Sequence, residues 1–417
     1  MEVKKAYYIT FGCKTNFYDT ELIKSNLQRI GIIETDNLKD ADYIIINSCA
    51  VTQKAERDSR HALHKALKEK KDNAKVIFTG CVAKLKKLNL ADFEGSINEV
   101  LKFFNIENPE NSIIYDYKSR TRATLKVQEG CDFICSYCAI RIARGKSKSK
   151  EIEKVFKEME ILNQRGFKEV MITGIQVGDW GKEWKLNLAY LLRNLCEKFP
   201  NFRFRLSSIL PLHITDELID LYLKYPKNLM PHFHISLQSA SNKILKDMKR
   251  PYTIEIYKKI VDKILNKIEN VSIGTDIIVG FPTETDKDFL ETYNFCKEFP
   301  FSYIHVFEYS PREGTPAYYL KPVVPNRIIK ERVKALFELS KIKKLEYMKK
   351  FLNKKLEVLF ENYKNNYWIG TSNNYLKVKV QSNENLKNEI FDVFIEKLEN
   401  DYLIGRIWNF ILIHMPT

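Results

Sequence analysis

Three cysteines within one short loop carry the strongest chemical signal in the chain. They lie in Gly130-Cys131-Asp132-Phe133-Ile134-Cys135-Ser136-Tyr137-Cys138, a Cys-x-x-x-Cys-x-x-Cys pattern. Three thiolates so spaced can each bind one iron of a cubane cluster, which leaves the fourth iron without a protein ligand. An open iron asks for a ligand from a substrate or cofactor. Zinc competes for clustered thiols, but a structural zinc takes four ligands and no histidine lies in the loop. The other reading is plain core use of cysteine. Placement directly after the strand-like run Lys126–Gln128 favours the iron–sulfur cluster.

Three further cysteines stand apart in sequence, in Gly12-Cys13, Ser48-Cys49 and Gly80-Cys81. Each follows a strand-like apolar run: Ala6–Thr10, Tyr43–Asn47 and Val76–Thr79. Helix-like stretches, Phe17–Ile30 and Lys54–Lys70, alternate with them. Such alternation argues for a parallel sheet with helices on its faces. Ligands of open α/β sheets bind beyond the carboxyl ends of the strands, so the three thiols are expected to converge there as a second cluster site. The remaining two, Cys196 and Cys296, sit beside Leu195 and Phe295 in apolar helical patterns and read as buried small hydrophobes.

The elements that must hold these thiols suggest an α/β chain of three parts. Residues 1–118 form an open parallel α/β sheet domain. Residues 119–350 hold six strand-like runs followed by helical sequence: Lys126–Gln128, Val170–Thr173, Phe202–Ser207, His232–Ser236, Ser272–Val279 and Tyr303–Phe307. That pattern predicts a partial or complete parallel (β/α) barrel, with its site at the carboxyl face. Residues 351–417 change to short β-rich runs with polar turns, a small β-barrel. Between them Lys341–Lys355 reads as a helix with seven lysines and one glutamate, a solvated face or an RNA contact. The seven histidines show no ligand spacing, and His232 and His234 are expected to pack inside the barrel.

At 417 residues, 44% hydrophobic and 29% charged, the composition is that of a globular protein. No apolar run approaches the roughly 20 residues a membrane helix needs. With no apolar or Arg-rich leader at Met1, the expected location is the cytoplasm, where disulfides are rare and eight cysteines suggest metal or catalytic use. The net charge of +15 favours a polyanionic partner, nucleic acid first.

The cysteine loop resembles the radical-SAM signature, in which the open iron binds S-adenosylmethionine. Together with Cys13, Cys49 and Cys81 it resembles the methylthiotransferases along essentially the whole chain. The resemblance implies a cluster domain, a radical-SAM barrel and a C-terminal TRAM barrel. It also implies two [4Fe-4S] clusters, held by Cys13, Cys49 and Cys81 and by Cys131, Cys135 and Cys138. Further matches are Gly12-Cys13-Lys14-Thr15-Asn16, Asn47-Ser48-Cys49-Ala50-Val51-Thr52, Lys126-Val127-Gln128-Glu129-Gly130-Cys131, Ile235-Ser236-Leu237-Gln238-Ser239, Thr275–Pro282 and Tyr309–Pro316. The first three are most similar to the branch acting on threonylcarbamoyladenosine beside the tRNA anticodon. Arg141, Thr283 and Leu210 depart from the family, which usually has Pro and Gly at the first two and, in this branch, an acid at the third.

The implied reaction is reductive cleavage of S-adenosylmethionine to a 5′-deoxyadenosyl radical, hydrogen abstraction from C2 of the adenine, and methylthio transfer. It needs no catalytic side chain beyond the cluster ligands. Expected cofactor contacts are Tyr137, Thr173, Gly174, Ser208 and Gln238, all at strand ends or in the cysteine loop. Arg141, Arg144, Lys146, Lys148 and Lys150 follow that loop and are expected to meet phosphates or solvent. The implied partners are a tRNA anticodon stem-loop and an unidentified electron donor, with no membrane, and the chain is expected to be a monomer. Competing readings are isopentenyladenosine in tRNA or a ribosomal-protein aspartate as substrate, and a non-catalytic iron–sulfur RNA-binding protein.

Overall fold

The computed structural model describes residues 3–109, 112–117 and 121–408. The expected boundary between 118 and 119 lies outside the described residues. The first domain alternates β1 (Lys5–Thr10), α1 (Lys14–Arg29), β2 (Ile33–Glu34), β3 (Tyr43–Ser48), α2 (Gln53–Glu69), β4 (Lys75–Gly80), α3 (Cys81–Leu85), β5 (Phe93–Glu94) and α4 (Ile97–Phe103). Its strands pair in parallel in the order β2-β1-β3-β4-β5. Successive residues of β3 and β4 are apolar because both faces are covered, as parallel sheets require. Ile44, Ile46, Val76 and Phe78 pack on Leu63 and Ala66 of α2. Ile45 and Ile77 pack on Ile23 and Leu27 of α1 and on Val100 and Leu101 of α4.

The second domain begins with β6 (Arg122–Glu129), α5 (Ile140–Arg144), β7 (Lys148–Ser149), α6 (Ile152–Gln164), β8 (Glu169–Gly174), α7 (Leu188–Lys198), β9 (Arg203–Leu206) and β10 (Ser208–Ile209). It continues with α8 (Asp216–Lys224), β11 (His232–Ile235), α9 (Asn242–Asp247), α10 (Ile254–Lys267), β12 (Ser272–Val279), α11 (Asp286–Glu298), β13 (Tyr303–Glu308) and α12 (Asn326–Lys349). Two four-stranded sheets, β7-β6-β8-β9 and β10-β11-β12-β13, make up the barrel wall. The expected strand Phe202–Ser207 is β9, and a second short strand, β10, follows it after Ser207. β9 pairs with β8 and β10 with β11, and the break at Ser207 lets one stretch of chain serve both sheets.

The lysine-rich helix also differs from expectation. It starts at Asn326, directly after Pro325, and ends at Lys349 rather than Lys355. Its apolar face, Ile329, Leu336 and Leu339, lies upstream of the lysines that draw the eye in sequence. Lys343 and Tyr347 continue that buried face, donating to the carbonyls of Lys297 (3.0 Å) and Asn270 (2.8 Å). Lys355 instead opens the third domain, in which β14 (Lys355–Lys364), β15 (Tyr367–Ser372), β16 (Lys377–Val380), β17 (Ile390–Glu399) and β18 (Tyr402–Ile407) close a barrel around Val358, Phe360, Val378, Ile395 and Leu403.

This small barrel docks at the amino ends of the central strands, away from the cysteine loop. Arg205 donates to the carbonyls of Ser372 (3.1 Å) and Asn373 (2.8 Å) while pairing with Glu169 (3.0 Å). Burial alone would raise the Glu169 carboxyl, but Arg205, Arg203 and Arg122 outweigh it and bring it down to about 2 from the ordinary 4.5. A depressed carboxyl stabilises the fold above its unfolded value and loses that contribution as pH falls toward its folded value. The contribution is on the order of 3 kcal/mol. Thermal unfolding between pH 7 and pH 2.5 is expected to show Glu169→Gln destabilised at neutral pH, with a flatter acid limb than the wild type.

Candidate active site between two cysteine triads

Cys13, Cys49 and Cys81 each stand just beyond the carboxyl end of a strand, β1, β3 and β4. Gly12 is required where the first loop crosses the second: its φ is +99°, and a Cβ there would fall 2.6 Å from Cys49 Sγ. Asn16 Nδ2 ties these loops together by donating to the carbonyls of Phe11 (2.7 Å) and Ser48 (2.9 Å). Cys49 and Cys81 are buried and Cys13 is exposed. Burial first, with smaller contributions from the neighbouring Cys81 and Cys13, pushes the Cys49 thiol up to about 11. Arg144 Nε reaches Cys81 Sγ at 3.4 Å.

The second triad occupies the loop between β6 and α5. Gly130, with φ +72°, precedes Cys131 where a Cβ would collide with the Lys146 carbonyl at 2.0 Å. Ser136 pins the loop, donating from N to the Met248 carbonyl (3.0 Å) and from Oγ to the Asp247 carbonyl (2.6 Å). Burial raises the Cys138 thiol to about 11. Arg250 Nη1 meets Cys135 Sγ at 3.3 Å and the Tyr137 hydroxyl at 3.4 Å. Each triad therefore has one guanidinium against one of its sulfurs, a placement that favours an anionic thiolate-bound group.

The donor sets fit a polynuclear cluster better than a single ion. Zinc–thiolate bonds of ~2.3 Å in a tetrahedron hold sulfurs roughly 3.8 Å apart. Among the described residues, only His234, Asp276 and His305 bring three ligand atoms within 4.8 Å of one another, so neither cysteine set is drawn in around one ion. The His–Asp–His group is internally paired. Asp276 Oδ2 meets His234 Nε2 at 3.0 Å and its Oδ1 meets His305 Nδ1 at 3.3 Å. His232 and His234 do pack inside the barrel, both within 3.0 Å of the Tyr303 hydroxyl.

A cavity of about 230 Å³ lies against Cys138 of the second triad and the chain that follows Cys49 of the first. Ala50, Val51 and Thr52, following Cys49, line one side, and Tyr137, Cys138 and Ala139 another, with Gln238, Asp276 and Tyr309 completing it. Gln238 has φ +75°, an uncommon conformation for a side-chain-bearing residue, held by its amide donating to the Asp276 carbonyl (2.8 Å) and its carbonyl accepting from Ile278 N (2.9 Å). Of the five expected cofactor contacts, Tyr137 and Gln238 line this cavity. Thr173 is buried within β8, Gly174 packs on the Gln128 side chain, and Ser208 is exposed on β10.

Two of the expected phosphate-facing cations turn inward. Arg144 pairs with Asp19 (2.7 Å) and Glu129 (3.0 Å), and Lys150 with Glu158 (2.9 Å) and the Tyr18 hydroxyl (2.5 Å). Buried carboxylates on neighbouring elements claim them, which the local sequence cannot display. Arg141, Lys146 and Lys148 retain surface exposure. Cys196 and Cys296 are buried, with burial raising each thiol to about 12. Thr283, where the resemblance implies glycine, has φ +76°, and its Oγ1 donates to Asp247 (2.6 Å). Leu210 is buried in the barrel core. Sequence reading missed Asp19, Gln128 and Arg250. Gln128 alone stood in a quoted run, and its side chain joins Gly130 O, Ser147 Oγ and Gln176 N.

Residues 125–296 match the Radical SAM superfamily and residues 5–102 match the Uncharacterized protein family UPF0004. The chain is 40% identical to a threonylcarbamoyladenosine tRNA methylthiotransferase MtaB of Aquifex aeolicus, over 85% of this chain and 92% of that relative. It is 34% identical to a tRNA-2-methylthio-N(6)-dimethylallyladenosine synthase of Petrotoga mobilis, over 97% of this chain and 99% of the relative. The fold is shared with the radical S-adenosylmethionine methyltransferase TsrM of Kitasatospora setae, at a TM-score of 0.55 and 11% identity, covering 76% of this chain and 77% of that one. The two matched blocks, each holding one cysteine triad, and the near full-length relatives establish that the chain belongs to the radical-SAM methylthiotransferase family.

Proposed function

We propose that the protein is a tRNA methylthiotransferase that adds a methylthio group to C2 of N6-threonylcarbamoyladenosine beside the anticodon. The observation that carries this reading is one cavity walled by the chain following Cys49 and by Cys138 itself. Cys13, Cys49 and Cys81 would hold one [4Fe-4S] cluster, and Cys131, Cys135 and Cys138 another together with S-adenosylmethionine. When bound, these groups supply one-electron cleavage of a sulfonium C–S bond and the sulfur to be transferred.

The side chains position and shield. Tyr137, set edge-on to Phe281 at 6.5 Å and tied to Arg250, presents a ring of fixed plane for an adenine. Gln238 offers an amide from a backbone held in place by β12. Gly174 and Ser208 are proposed as further cofactor contacts, while buried Thr173 shapes the strand end beneath them. No side chain has to hold or move a proton at the adenine C2. The C-terminal barrel is proposed as a TRAM domain contacting tRNA, with the chain a cytoplasmic monomer served by an unidentified electron donor. The Petrotoga relative makes dimethylallyladenosine-containing RNA the second reading for the substrate.

Anaerobic turnover of reconstituted protein with S-adenosylmethionine, reductant and undermodified tRNA, read by nucleoside mass spectrometry, tests the proposal. A methylthio increment on threonylcarbamoyladenosine is expected. 5′-Deoxyadenosine without any nucleoside gaining mass overturns the tRNA substrate, and an increment only on dimethylallyladenosine replaces the branch.

A further inference from the structure

Beside the central cavity, a groove of about 1100 Å³ runs between α2 and the loop that follows β13. Arg57, Arg60, Lys86 and Arg312 line it against Glu56 and Glu313, so positive charge predominates. Arg312 lines both the groove and the cavity. It is only 8% exposed. Its Nη1 pairs with Glu56 on α2, a carboxylate shared with Arg60 at 3.8 Å. The remaining edge of the guanidinium, Nε and Nη2, has no acceptor among the described residues.

A buried N–H left without an acceptor costs free energy, and more so on a charged group. Nε and Nη2 form the side-on edge with which arginine grips both oxygens of a carboxylate or phosphate. The loop that carries the residue is fixed. Ser310 Oγ accepts from Gln53 N at 3.0 Å, and Thr315 Oγ1 donates to the Arg312 carbonyl at 2.6 Å. The Tyr309 hydroxyl, on the same cavity, also has no hydrogen-bond partner among the described residues. The nearby cavity carboxylate Asp276 has both oxygens engaged by His234 and His305 and does not compete for the free edge.

We infer that Arg312 is an oxyanion-binding residue at the junction of cavity and groove, taking a carboxylate or a phosphodiester of the substrate RNA. The inference rests on the proposed tRNA substrate. A threonylcarbamoyl group carries a carboxylate and a dimethylallyl group does not, so with the first source Arg312 discriminates between modified bases. With the second source it positions the RNA whatever base is present.

The test is fluorescence anisotropy of the cluster-loaded enzyme with three anticodon stem-loops bearing threonylcarbamoyladenosine, its methyl ester or unmodified adenosine. If the carboxylate is the ligand, the wild type binds the acid roughly 10- to 100-fold tighter than the ester, and Arg312→Gln binds both alike. If a phosphate is the ligand, Arg312→Gln weakens all three RNAs equally and lowers the salt slope by about 1. Either result supports the site and identifies the source. Glu56→Gln, which cuts the same domain contact but frees the guanidinium, is expected to bind no more weakly than wild type. Arg312→Gln binding every RNA as the wild type does, with unchanged salt slope, overturns the site alone. A wild type that binds none of the RNAs overturns the tRNA substrate and this inference with it.

Discussion

Cys135→Ala is expected to abolish 5′-deoxyadenosine formation and methylthio transfer together, whereas Cys81→Ala is expected to abolish only the transfer. The two triads sit on separate loops, each shaped by its own glycine, Gly130 and Gly12, so loss of one leaves the other's scaffold intact. Removing a group that merely supports a metal ligand costs 10–100-fold, and removing a ligand itself should cost at least about two orders of magnitude. Iron analysis and product quantification on the reconstituted variants check this. Each variant should retain about half of the wild-type iron if each triad holds one [4Fe-4S] cluster. Equal loss of both products in Cys81→Ala would show that the first triad is needed for the radical step itself.

The second large effect concerns the charges that bind the two cysteine-bearing domains together. Asp19 on α1 is fully buried, and it meets Lys126 of β6 and Arg144 of α5, both of which also pair with Glu129. Two acids and two bases balance. Burial would raise Glu129, yet Lys126 and Arg144 outweigh it and hold the carboxyl near 2. Arg144→Met leaves one net negative charge in this set, which costs on the order of 3 kcal/mol, the low end for a buried pair, because Glu129 and Lys126 keep some exposure. It also withdraws the guanidinium from Cys81. Chemical denaturation of apoprotein is expected to show that loss for Arg144→Met, with Asp19→Asn and Arg144→Met combined costing less than the sum of the two because neutrality returns. Additive losses would mean that the four groups do not act as one network.

Local spacing made the chemistry legible before the fold. The Cys131–Cys138 loop is contiguous, and the three upstream cysteines follow apolar runs whose lengths alone place them at strand ends. The strands of the C-terminal barrel also read correctly, since short alternating runs between polar turns are a local property. What sequence could not display depends on long-range pairing. Arg144 and Lys150 resemble solvated cations until Asp19 and Tyr18, 125 and 132 residues away, are folded against them. The extra short strand after Ser207 depends on a different neighbour, β11 rather than β8. Arg250 and Arg312 lie far from either cysteine set in sequence, and only the folded chain brings one to Cys135 and the other to the mouth of the cavity.

The central claim is that both cysteine triads serve one cavity, so that radical and sulfur arrive at one base. Electron paramagnetic resonance of the reduced, reconstituted protein tests it most directly, by comparing the wild type with one variant lacking Cys13, Cys49 and Cys81 and another lacking Cys131, Cys135 and Cys138. Clusters that share the cavity interact magnetically, so the wild-type spectrum should be broadened relative to the sum of the two variant spectra. A wild-type spectrum equal to that sum would place the two clusters apart and contradict the account.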